Sequence, residues 1–194
     1  MRRAYPSGCD PGISEPAIFT DQNMQALGLI WGEVDSRAPD YRECCVRAEA
    51  PKHPGADLVL RVWQERVAAG EFLVGRDVPS RMLSHVLHNL AVYEPVEGAR
   101  DIRVRLAGTA FYRRFGRDVT GARFSELFDP PAFARNRDLL IETIQSGNPT
   151  VLAIERAQGS RVPMRYECLL LPVLAPDRAA HWVLAGRVFH DGPR

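Results

Sequence analysis

Cys44, Cys45 and His53 are residue types that could in principle hold zinc, yet adjacent cysteines without a second pair make a poor tetrahedral site. They are read as incidental thiols. Covalent catalysis would need a nucleophile, a base and an orienting group, and the chain has no G-x-S-x-G, no H-E-x-x-H and no Walker loop. Gly108-Thr109 is not a phosphate loop. Arg103, Arg105, Arg113, Arg114, Arg117 and Arg123 fall in one window against Asp118 alone, and such a set could bind a nucleotide messenger or nucleic acid. A solvated strand face followed by a solvated helix face accounts for them more simply. The chemistry-bearing residues thus point away from catalysis, and the elements that position them become the question.

Composition sets the frame. A hydrophobic share of 45%, a charged share of 25% and a net charge of +1 describe a globular chain without a global electrostatic match to nucleic acid or acidic membrane. Arg2 and Arg3 have no apolar stretch behind them, and no apolar run reaches the roughly 18 residues a membrane span needs, so a cytoplasmic location is expected. Cys9, Cys44, Cys45 and Cys168 lack Cys-x-x-Cys spacing and read as thiols of a reducing compartment.

Residues 1–55 are rich in proline and read as an extension with one amphipathic helix, Asp21 to Val34. From Ala56 to Gly70, Leu58, Val59, Val62, Trp63 and Val67 form an apolar stripe at helical spacing. Asp77 is placed as the cap of a short helical piece running to Val86. Strands are expected at Asn89 to Glu94 and Ile102 to Leu106, the second alternating Ile102, Val104 and Leu106 with arginines. Gly108 then breaks the strand, where a positive φ would make a β-branched replacement costly, and Thr109 caps a helical turn that Gly116 closes in a left-handed conformation. Phe124 to Phe128 and a helix from Asp129-Pro130-Pro131 to Gly147 follow, the latter with Phe133, Leu140, Ile141 and Ile144 on one face. Thr150 to Arg156, Val162 to Leu174 and His181 to Phe189 complete the chain as three strands with short links. This order predicts an α+β fold with an antiparallel sheet and helices on one face.

Those residues carry a resemblance. Trp63 on the leading helix, Arg105-Leu106-Ala107-Gly108-Thr109 at the strand-to-helix switch, Gly116-Arg117-Asp118-Val119-Thr120-Gly121 at the turn and Leu170-Leu171-Pro172-Val173 late in the chain make it similar to a small stand-alone bacterial PAS family. The similarity covers roughly residues 56–190 and leaves 191–194 as a tail. It implies a five-stranded antiparallel sheet, N-terminal helices ahead of it, a small enclosed cavity and a sensor or docking role without catalysis.

Within that frame no cofactor is expected. Residues 132 to 147 hold no histidine for a haem; His85 and His88 lie before the first strand, and His181 and His190 near the ends of the last. Cys168 sits in a strand rather than in a flavin-reactive motif and reads as a small buried hydrophobe. Tyr112, Asn136, Met164, Tyr166 and Cys168 are the candidate cavity lining, weighed against a plain core filling. Glu167, one residue out of phase, is expected on the opposite face. Leu58, Val59, Val62, Trp63 and Val67 are the candidate homodimer interface, the alternative being that the helix folds back onto its own sheet. With no output domain in the chain, the expected role is signalling through an unidentified protein partner, tuned by a small apolar molecule. Membrane and nucleic acid are not expected as partners. The competing reading is a small enzyme that uses the cavity on an apolar metabolite.

Overall fold

The structure is a computed structural model that describes residues 41–158 and 164–190. The expected helix at Asp21 to Val34 and the first residues of the strand expected from Val162 lie outside the described residues. The elements run β1 (Tyr41–Ala48), α1 (Pro54–Ala68), β2 (Leu90–Val96), β3 (Asp101–Ala107), α2 (Thr109–Phe115), α3 (Phe124–Leu127), α4 (Pro130–Ser146), β4 (Thr150–Gln158), β5 (Met164–Leu174) and β6 (His181–Phe189). The strands form one sheet in the order β1-β4-β5-β6-β2-β3, and every neighbouring pair is antiparallel.

Among the described residues the sheet therefore has six strands, not the five expected. The sixth is β1, which the sequence reading gave to the extension; it pairs with β4 from Tyr41↔Gln158 to Ala48↔Val151. Its sequence, YRECCVRA, lacks the apolar alternation of a strand with one dry face, because Cys44, Cys45 and Val46 are only half buried at the sheet edge.

Side chains alternate across the sheet and build two cores. Tyr93, Val104, Leu152, Tyr166, Cys168, Leu170 and Val183 face α2, α3 and α4. Leu90, Val92, Leu169, Leu171, Val173 and Leu184 face the other way, where Val59, Val62 and Trp63 of α1 cover them. Helices thus lie on both faces rather than one. Each such side chain taken from water contributes about 1.5 to 3 kcal/mol, which makes the sheet's back face a natural seat for the stripe. Trp63 fixes the seat by donating its indole N–H to the Pro172 carbonyl oxygen at 2.7 Å. Of the five residues proposed for a dimer interface, Val59, Val62 and Trp63 are buried inside the chain, Leu58 is half-buried and only Val67 is exposed.

Helix starts follow local chemistry. Asp129 accepts from the Ala132 N–H at 2.8 Å and prolines occupy the first turn of α4, as expected. At α1 the cap is His53, whose Nδ1 accepts from the Gly55 N–H at 2.9 Å. Asp77 does not cap a helix. A single 3₁₀ turn, Arg81–Leu83, stands within the piece expected to run to Val86, a second, Leu87–Asn89, follows it, and Asp77 turns its carboxylate back to the Leu73 N–H at 2.8 Å.

The switch after β3 works differently from the sequence reading. Gly108 has φ −67° and ψ 165°, an extended conformation open to any residue, and it is itself the N-cap of α2, with Thr109 the first helical residue. Its glycine identity comes from crowding: a Cβ there would lie 2.4 Å from the carbonyl oxygens of both Leu87 and His88. Gly116 ends α2 at φ 65°, the left-handed cap expected of it.

Candidate functional site

The helical side of the sheet is the candidate ligand face. α4 presents Ala132, Asn136, Leu140 and Thr143 inward, a line at three- and four-residue spacing, while Phe133, Ile141 and Ile144 pack along its flanks, only partly buried. Thr143 and Thr150 hydroxyls meet at 3.1 Å and tie the end of α4 to the start of β4. Opposite this line, β5 and β6 run side by side with Cys168 across from Arg187 and Tyr166 across from Phe189.

Three of the five proposed lining residues come together here. Asn136, Tyr166 and Cys168 are buried in the helical-side core. Tyr112 and Met164 are exposed, at 59% and 49%, and do not line it. Tyr112 lies on the outer face of α2, where Phe111 takes the inward position, and Met164 opens β5 at the sheet's end.

Arg187 is the residue that sequence reasoning missed. It is 7% exposed, and its guanidinium lies over the Tyr166 ring at 4.0 Å and the Phe189 ring at 4.5 Å. A cation held against two aromatic faces gains from the ring quadrupoles, more so away from water. The signal was legible in parity, since Val183, Ala185 and Arg187 alternate on one face of β6. Burial pushes the Tyr93 hydroxyl well above its ordinary value, with Cys168 adding to the rise and Arg187 opposing it. The helical-side core is thus apolar with a few polar groups: Asn136, Tyr93, Tyr166 and Arg187.

Among the described residues, the buried carboxylates Asp77, Asp101 and Glu167 all anchor backbone. Asp77 holds Leu73 and pairs with Arg76 at 2.7 Å and Arg66 at 3.3 Å. Asp101 accepts from the Ile102 N–H at 2.7 Å and the Ser125 hydroxyl at 2.6 Å. Glu167 sits on the face away from Asn136, as its phase required, and accepts from the Lys52 and His53 N–H groups and pairs with His190.

The arginine window is interrupted by acids that lie outside it in sequence. Arg103 and Arg105 approach Glu94 of β2 at 3.6 and 3.8 Å, and Arg123 pairs with Glu97. Arg105 also lies 5.3 Å above the Trp182 ring. The side chains of Arg113 and Arg114 lie outside the described residues. Among the described residues, no three His, Cys, Asp or Glu side chains converge as a metal site, and no helix is long and apolar enough to cross a membrane.

A family model described as a PAS domain matches residues 51–186. No curated protein and no solved structure matches the chain.

Proposed function

Since this chain belongs to the PAS-domain family, we propose that it is a non-catalytic signalling module that acts by binding a protein partner, tuned by a small ligand on the helical side of the sheet. The observation that carries this is the use of the buried carboxylates. Asp77, Asp101 and Glu167 each accept backbone N–H groups, so the buried acids of the described residues hold the fold together and leave the helical-side core without a carboxylate to act as acid or base. A general base must reach a substrate proton, and none of the three is turned toward Asn136 and Tyr166.

The same core suits a ligand by its chemistry. Apolar walls with few convergent polar groups orient a small molecule without reacting with it. Asn136 offers an amide, Tyr166 a phenol and Arg187 a fixed guanidinium over an aromatic surface. The module we infer is bacterial and cytoplasmic.

Native mass spectrometry of the full chain, gently isolated from its own host, tests the proposal. A protein partner or a small molecule retained at fixed stoichiometry is expected. The bare chain alone would overturn it.

A further inference from the structure

Glu167 is nearly inaccessible to solvent, at 2% exposed, and its three partners lie just before α1 and just after β6. Oε1 accepts from the Lys52 N–H at 2.9 Å, Oε2 from the His53 N–H at 3.1 Å, and Oε1 meets the His190 Nε2 at 2.8 Å. Lys52 and His53 lead directly into α1, and His190 directly follows β6. A carboxylate taken out of water costs several kcal/mol unless such donors surround it, so its burial here depends on these contacts.

The neighbouring contacts tighten the arrangement. The His53 Nδ1 also caps α1, its ring lies edge-on to that of His190 with centroids 5.6 Å apart, and the His190 N–H donates to the Arg165 carbonyl at 3.0 Å. α1 is itself the helix that covers the back face of the sheet.

Strand alternation places this tie directly behind the candidate ligand face. Tyr166 and Cys168, the chain neighbours of Glu167, point into the helical-side core. Any displacement of β5 caused there moves the Glu167 carboxylate, and with it the points where the chain enters α1 and leaves β6.

We propose that Glu167 is a latch that joins the start of α1 to the end of β6 and passes the state of the Tyr166–Cys168 side of β5 to both. The coupling to a ligand rests on the function proposed above; the latch does not.

Hydrogen exchange read by mass spectrometry on the full chain tests it, with no ligand needed. Glu167→Gln leaves one oxygen where two accepted and turns an amide N–H₂ toward a donor. Exchange at Lys52, His53 and the first turn of α1 is expected to rise roughly tenfold or more, with α4 unchanged. Unaltered exchange at Lys52 and His53 in folded protein would overturn the latch. Should Glu167→Gln fail to fold, His190→Ala removes one donor from an exposed position, and faster or unchanged exchange at the same two amides decides in the same way. Cys168→Ala reads the coupling: faster exchange at Lys52 and His53 supports it, and unchanged exchange there overturns it while leaving the latch intact. Neither result depends on whether a partner or ligand is retained in native mass spectrometry.

Discussion

The Trp63 indole donates to the Pro172 carbonyl oxygen at 2.7 Å, so the leading helix is bonded to the fifth strand of its own sheet. Val59 and Val62 are buried beside it against the same face. A stripe that the sequence leaves open to a second chain is therefore used to close the domain.

That contact gives the first prediction. Trp63→Phe keeps most of the apolar contact but leaves the Pro172 oxygen without its donor, and a loss of about 1 to 3 kcal/mol is expected in denaturant unfolding. Trp63→Glu would bury a charge and is expected to unfold the domain rather than release a folded monomer. Circular dichroism with light scattering checks this; a folded Trp63→Glu monomer derived from a wild-type dimer would restore the stripe as an interface.

Gly108 carries the second. Because a Cβ would meet two carbonyl oxygens at 2.4 Å, Gly108→Ala must push the 3₁₀ turn at Leu87–Asn89 away from α2, at a cost of about 1 to 3 kcal/mol. Alanine, with no β-branch, is enough to show it. A melting temperature equal to that of the wild type would mean that the turn yields freely.

Asp77 carries the third. Burial raises its carboxyl, but the Arg76 and Leu73 hydrogen bonds and the charges of Arg76 and Arg66 outweigh it and hold the group below its ordinary value. A carboxylate depressed in the fold contributes stability above its unfolded value, about 3.9, and loses it as pH falls through the lower folded value. Asp77→Asn is expected to cost on the order of 1 to 3 kcal/mol near neutral pH, with the difference from wild type shrinking in acid below about pH 4. Urea unfolding of both proteins across that range measures it, and a constant difference would remove Asp77 as the source.

Much of this architecture was legible in the residues. The strands around Val92, Val104, Leu152, Leu170 and Leu184 and the helices capped by Asp129 and closed by Gly116 follow from local periodicity and capping, which act within a few residues. What depended on distant pairing was not. β1 is held as a strand by β4, more than a hundred residues away, and its own pattern does not announce it. Gly108 looked like a φ requirement because the approach of Leu87 and His88 appears only once the chain is folded. Burial of the candidate lining was partly legible: strand phase put Tyr166 and Cys168, and helix phase Asn136, in the helical-side core, whereas Tyr112 and Met164 are exposed because phase does not say where a strand or helix leaves the core. Arg187 was passed over because a charged residue in a strand is ordinarily a solvent residue, and here two aromatic rings hold it inside.

The measurement that bears most directly on binding without catalysis is a mass balance. Purified full-length protein is incubated with a small-molecule extract of its own host, and metabolites are quantified before and after by mass spectrometry. Depletion of at most about one molecule per chain, with no new product, is the expected result for a ligand-tuned module. Consumption of a metabolite far in excess of the protein, with a product growing in step, would contradict it and make the helical-side core an active site.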